Sequence, residues 1–153
     1  MKKLISLTLI IVVAFLAFNC KGGGKTGAKL SEEQIMQLKK LALPIMETIQ
    51  QGMNEDNYEK YSTDFDERMK NAITEKVFKQ TQTLMNDKVG KFEAFTFDKV
   101  MKKDQFYVIM YKGKFEKEDN VKISLSIQKI KDKYFVSGLW FNSPKLRSMK
   151  KDK

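Results

Sequence analysis

The chain has 153 residues, 42% of them apolar and 31% charged, with eleven Phe and nine Met to fill a core, the make-up of one folded domain. It has no His and one Cys, which excludes an imidazole base, a Ser-His-Asp or Cys-His pair, imidazole metal sites, internal disulfides and multi-cysteine zinc sites. The formal charge is +10; without Lys2 and Lys3, 27 basic residues stand against 19 acidic, a balance of +8 that suits a soluble lysine-rich surface or contact with anionic lipid or glycan.

Lys2 and Lys3 precede an apolar run from Leu4 to Phe18, broken only by Ser6 and Thr8. The run is short for a hydrocarbon core of ~30 Å and fits a cleavable signal peptide over residues 1–19. It ends Leu16-Ala17-Phe18-Asn19-Cys20. That ending resembles a bacterial lipobox, and Phe18 and Asn19, where small residues are usual, are similar to the looser lipoboxes of spirochaetes. The resemblance implies a diacylglycerol on the Cys20 sulfur, cleavage just before it and stable anchoring by two or three acyl chains. Lys21, three glycines and the residues to Lys29 then form a flexible tether, so that 20–29 are lipidated Cys and spacer. Lys21 in place of Asp after the cysteine resembles outer-membrane sorting. The expected address is the cell envelope, lipid-anchored, at the outer rather than the inner membrane.

Residues 30–143 read as an α+β domain. Ser31 and Gln34 form a capping box, Leu30 and Ile35 a hydrophobic staple, and Leu38, Leu41, Ile45, Ile49 and Met53 continue at helical spacing. Pro44 predicts a kink or break within that helix, and Gly52 its end. Asn54 to Tyr61 predicts a short second helix, Phe65 and Met69 a further turn, and Thr74 the cap of a third helix. Val77, Phe78, Thr81, Leu84, Met85 and Val89 would share one side of it, with Gly90 as terminator.

After Gly90 the period changes to two. Phe95 and Phe97 alternate with polar residues, although Phe92 and Ala94 have the opposite parity. Phe106 to Tyr111 is apolar on both parities, the pattern of a strand covered on both faces. Lys117 to Asn120 predicts a turn, and Val121, Ile123, Leu125 and Ile127 alternate strictly with polar residues. Lys131-Asp132-Lys133 predicts another turn, Tyr134 to Phe141 a last strand, and Pro144 its end. Residues 144–153 read as a solvated basic tail carrying Lys145, Arg147, Lys150, Lys151 and Lys153. The sum is three helices followed by a four-strand antiparallel meander, helices on one face.

This order, with Asn57-Tyr58-Glu59-Lys60-Tyr61, Phe65 to Met69, Val89-Gly90-Lys91-Phe92 and Ser137-Gly138-Leu139-Trp140-Phe141, resembles the ketosteroid-isomerase and nuclear-transport-factor (cystatin-like) superfamily. More closely it is similar to an uncharacterised bacterial family of secreted and lipid-anchored domains in that fold. The resemblance implies a curved four-strand sheet wrapped on helices into a cone, and it brings no catalytic residues to positions here. Gly138 would serve a bulge or a close backbone approach, and Trp140 and Phe141 would be core and rim.

Three readings of function follow. One is a membrane-tethered, non-enzymatic binding or interaction module, for an envelope protein, an envelope polymer or a small apolar ligand. A second is an enzyme using a buried carboxylate, Asp64, Asp66 or Asp98, with Tyr58, Tyr61 or Tyr107. The third is adhesion to a polyanionic surface through the basic tail. The first is favoured. No cofactor, no metal and no nucleic-acid partner is expected, and Cys20 is the only modified residue expected.

Overall fold

The computed structural model describes residues 29–148. The signal, Cys20, the tether up to Ala28 and the tail residues Lys150, Lys151 and Lys153 lie outside them. Among the described residues, α1 (Glu32–Asn54), α2 (Tyr58–Tyr61), α3 (Glu67–Ala72) and α4 (Glu75–Lys88) precede the sheet. β1 (Phe92–Lys103), β2 (Phe106–Phe115), β3 (Glu118–Ile130) and β4 (Lys133–Asn142) form one antiparallel sheet in that spatial order, and α5 (Pro144–Ser148) follows. The α+β class and the meander are as expected.

α1 opens as its sequence dictates: Ser31 Oγ accepts from the Gln34 N–H at 3.2 Å while Gln34 Oε1 accepts from the Ser31 N–H at 3.0 Å. Leu38, Ile45, Ile49 and Met53 are buried on one side. α1 departs from expectation at two points, a break at Pro44 and an end at Gly52. The helix does not break at Pro44, which sits on the exposed side, where solvent can satisfy the freed Lys40 carbonyl. Nor does it end at Gly52, which is interior and buried because α2 crosses there; a Cβ on Gly52 would lie 2.4 Å from the Tyr61 nitrogen.

On α4, Phe78, Met85 and the C-cap Val89 are buried as expected, but Val77 and Leu84 are exposed. The buried stripe takes Gln82 instead, whose Nε2 donates to the Met53 carbonyl at 2.5 Å, in the last turn of α1. Gly90, at φ +80°, ends the helix in the left-handed region, its N–H returning to the Met85 carbonyl at 3.1 Å.

The parity break in β1 is two bulges. The register against β2 slips between Phe92 and Ala94 and again between Phe97 and Lys99, so Phe92, Phe95, Phe97 and Val100 all reach the helical side. At the first slip the backbone of Phe92 pairs with α1: its carbonyl accepts from Asn54 Nδ2 at 2.8 Å and Gln50 Nε2 at 3.0 Å, and its N–H donates to Asn54 Oδ1 at 3.1 Å. The core sits between helices and sheet. Val121, Ile123, Leu125 and Ile127 are fully buried there, and Phe92 stacks on Phe115 at 4.6 Å with Phe141 edge-on to both at 6.1 Å. Among the described residues the buried apolar cluster runs from Leu38 to Leu146.

The β2–β3 turn falls at Glu116-Lys117, earlier than the Lys117–Asn120 stretch, because Phe115 pairs with Glu118. The first turn of the basic tail is docked rather than solvated: Leu146 is buried, and Ser143, which donates to Glu118 Oε2 at 2.5 Å, accepts from the Leu146 N–H at 3.2 Å.

Candidate functional site

Strand alternation puts Ile109 and Tyr111 of β2 into the core and turns Phe106, Val108 and Met110 to the opposite face of the sheet. Among the described residues no helix is packed over that face at these positions. The expectation of a strand covered on both sides is therefore wrong for β2: its second apolar row is the floor of an open groove of about 940 Å³. Register extends the floor sideways. Met101 of β1 lies opposite Val108, while Ser124 of β3 lies between Met110 and Trp140, and Ser126 between Val108 and Gly138.

The groove is deep because β3 and β4 contribute small residues at its centre. Ser124, Ser126, Ser137 and Gly138 form a trough between the bulkier β2 row and Trp140. Gly138 is required there: a Cβ would lie 2.3 Å from Cη2 and Cζ3 of Trp140, whose ring rests on the glycine. Trp140 remains 59% exposed, so it forms the rim and not the core, whereas Phe141, one residue on, turns inward to Phe92 and Phe115. At the other end Lys29, Leu30 and Ile35 wall the β1 edge, and Lys102, Lys103 and Asp104 surround the β1–β2 turn. Phe106, Ser137 and Trp140 also line a smaller recess of about 350 Å³ that runs on toward α3.

Asp66 borders that recess but is fully engaged. Its N–H donates to the Val136 carbonyl at 2.9 Å, Oδ1 caps α3 through the Met69 N–H at 2.8 Å, and Oδ2 accepts from Ser137 Oγ at 2.6 Å and Gln128 Nε2 at 3.1 Å. Burial alone would raise its pKa. The bonds from Ser137, Met69 and Gln128, with the charge of Arg68, outweigh that and hold the carboxyl below its usual value. A general acid needs the reverse.

The other candidates do not converge on it. Asp64 is half-buried, 3.4 Å from Lys133 Nζ; Asp98 is exposed at the second bulge of β1, 3.6 Å from Lys112 Nζ. Tyr58 donates its hydroxyl to the Ile73 carbonyl at 2.7 Å. Tyr61 packs among Phe65 and Phe78, and burial, with Tyr58 beside it, raises its pKa. Tyr107 faces the helical side near Tyr134, with Lys102 Nζ 5.7 Å above its ring. Among the described residues no hydrogen bond joins these tyrosines to these carboxylates, and no three Cys, Asp or Glu side chains gather as metal ligands. Cys20 lies outside the described residues.

Sequence reasoning passed over the groove, although its signal was present. Phe106, Val108 and Met110 mark a second apolar face, and Ser124 and Ser126 place only small side chains beside it.

No curated protein matches the chain. A family described as "Protein of unknown function (DUF3887)" matches residues 47–131, from the middle of α1 through the end of β3. That span is more than half of the 153 residues, and the chain belongs to this family.

Proposed function

We propose that this chain is a lipid-anchored envelope protein, of the nuclear-transport-factor-like fold type, that works as a non-enzymatic binding module through the groove on the open face of its sheet. The leader and Cys20 support the anchor. The observation that carries the binding reading is Trp140: a large aromatic side chain, 59% exposed, held over a glycine at the edge of an apolar recess. A volume of about 940 Å³ is in the range of small-molecule sites, which are mostly apolar with a few placed polar groups. The engagement of Asp66 in capping supports binding over catalysis.

Two measurements test the two halves. Detergent partitioning of the full chain is expected to place wild type in the detergent phase and Cys20→Ser in the aqueous phase; a mutant that partitions as wild type does overturns the anchor. For the groove, the probe is the uncharged dye N-phenylnaphthylamine, with residues 20–153 carrying Cys20→Ser. Met101→Glu should abolish dye uptake, and Leu84→Asp, at an exposed apolar residue of α4 outside the groove, should leave it intact. Equal uptake by the two variants overturns the groove as the binding surface.

A further inference from the structure

The groove is apolar along its floor and basic at one end. On the groove side Lys29 and Lys103 stand at the β1 end with Asp104 beside them, whereas Lys102 turns its ammonium over the Tyr107 ring on the helical side. Among the described residues neither Lys29 nor Lys103 has an ion-pair partner. An unpaired cluster of positive charge beside an apolar trough is complementary to a molecule with an anionic head and an apolar body.

The shape narrows the body. The floor crosses four strands, roughly 14 Å at the usual strand spacing. Its ends are Met101 and Trp140, and Met110 lies between; methionine side chains adapt to a partner without fixing its shape. The middle is lowered by Ser124 and Ser126. A recess that is low at its centre holds one flexible chain. A bilayer surface would instead need apolar side chains standing proud of their surroundings.

We propose that the groove takes one molecule of a single-chain anionic amphiphile, in chemistry a long-chain carboxylate, with the hydrocarbon over the Met101–Trp140 floor and the head at the lysines of the β1 end. This rests on the groove being the working surface of the protein, as proposed above.

Trp140 is the only tryptophan of the chain, so its emission reports the floor directly. Residues 20–153 with Cys20→Ser are titrated, below the micelle concentration of each ligand, with laurate and myristate, with tetradecanol, and with tetradecyltrimethylammonium. Myristate is expected to saturate at one per chain. It should bind more tightly than laurate, by up to about fourfold for each added methylene. The cationic amphiphile should bind at least tenfold more weakly. Lys103→Glu is expected to weaken myristate by about tenfold, through the reversed charge near the head. It should leave tetradecanol unchanged, and Lys103→Arg should bind as wild type does.

Equal affinity for the carboxylate and the ammonium overturns the head assignment while leaving dye uptake, and with it the binding module, standing. An emission change with vesicles of anionic lipid and none with monomeric myristate overturns the single-chain occupant. No saturable change with any of these ligands overturns the inference; loss of dye uptake as well would take the broader reading with it.

Discussion

Ser137 Oγ donates to Asp66 Oδ2 at 2.6 Å, a bond that ties the edge strand β4 to the first turn of α3 across 71 residues of sequence. Ser137 is the residue left over where the β3–β4 register slips between Ser126–Gly138 and Ile127–Val136. The bulge aims its hydroxyl at the carboxylate. Phe65, between Asp64 and Asp66, pairs in parallel with Val136, so this short segment also covers part of the outer edge of β4.

Asp66→Ala should therefore cost about 2–3 kcal/mol, combining the lost cap with charge-assisted bonds that leave Ser137 and Gln128 without their acceptor. Urea denaturation measures it. Glu67→Ala, one residue on and exposed, should cost far less.

The same carboxyl predicts an acid limb. Its pKa is lower in the folded chain than in the unfolded one. The unfolded chain takes up the proton first as pH falls, so the contribution is complete above the ordinary carboxylate range and is lost as pH drops toward the folded value. Thermal melts of Asp66→Asn across that range should show a shallower acid loss than wild type. An identical slope would remove Asp66 from the account of acid stability.

Two glycines predict opposite kinds of damage. In Gly52→Ala the new Cβ meets backbone of Tyr61, which cannot yield, so overpacking of about 1–3 kcal/mol exceeds the roughly 1 kcal/mol that alanine contributes to a helix. In Gly138→Ala the Cβ meets the far end of the Trp140 ring, which can swing away. That variant should melt close to wild type but change its tryptophan emission and its dye uptake, read in one fluorimeter.

Tyr111 is buried in the core, edge-on to Phe95 at 5.3 Å, and its hydroxyl has no hydrogen-bond partner among the described residues. Tyr111→Phe should raise the melting temperature, by a stabilisation of about 1 kcal/mol, because it removes an unpaired buried hydroxyl. Burial pushes the Tyr111 pKa up to about 12. The folded chain holds the neutral phenol, so its contribution is intact below the ordinary tyrosine range and is lost as pH rises through that range toward the folded value. Loss of stability above pH ~10 should accordingly be smaller in the Phe variant.

Much of the fold was legible because single periodicities carried it. Val121 to Ile127 alternate without exception and are all core; Ser31 and Gln34 name the start of α1. What escaped the sequence were relationships between distant elements. Gly52 reads as a helix stop until Tyr61 is seen to cross it, and nothing in the sequence marks Gln82 as buried against the Met53 carbonyl. The parity conflict in β1 was visible in Phe92 and Phe95, but bulges leave no residue signature that alternation can resolve. The groove was misread for a related reason: a strand apolar on both parities does not say whether its second face meets protein or an open recess.

The bond between Ser137 and Asp66 also sets an order of events during synthesis. Each hairpin of the sheet pairs sequence neighbours, so the meander can form by short loop closures, whereas Phe65 has no strand partner until Val136 exists. At about 5–20 residues per second, the 71 residues separating Asp66 from Ser137 take roughly 4–14 s to make. Until the strands follow, the helical half has its apolar side unsheltered, and a chaperone or translocation factor that acts on this protein would meet the stripe of Leu38, Ile45 and Ile49 before any of the sheet.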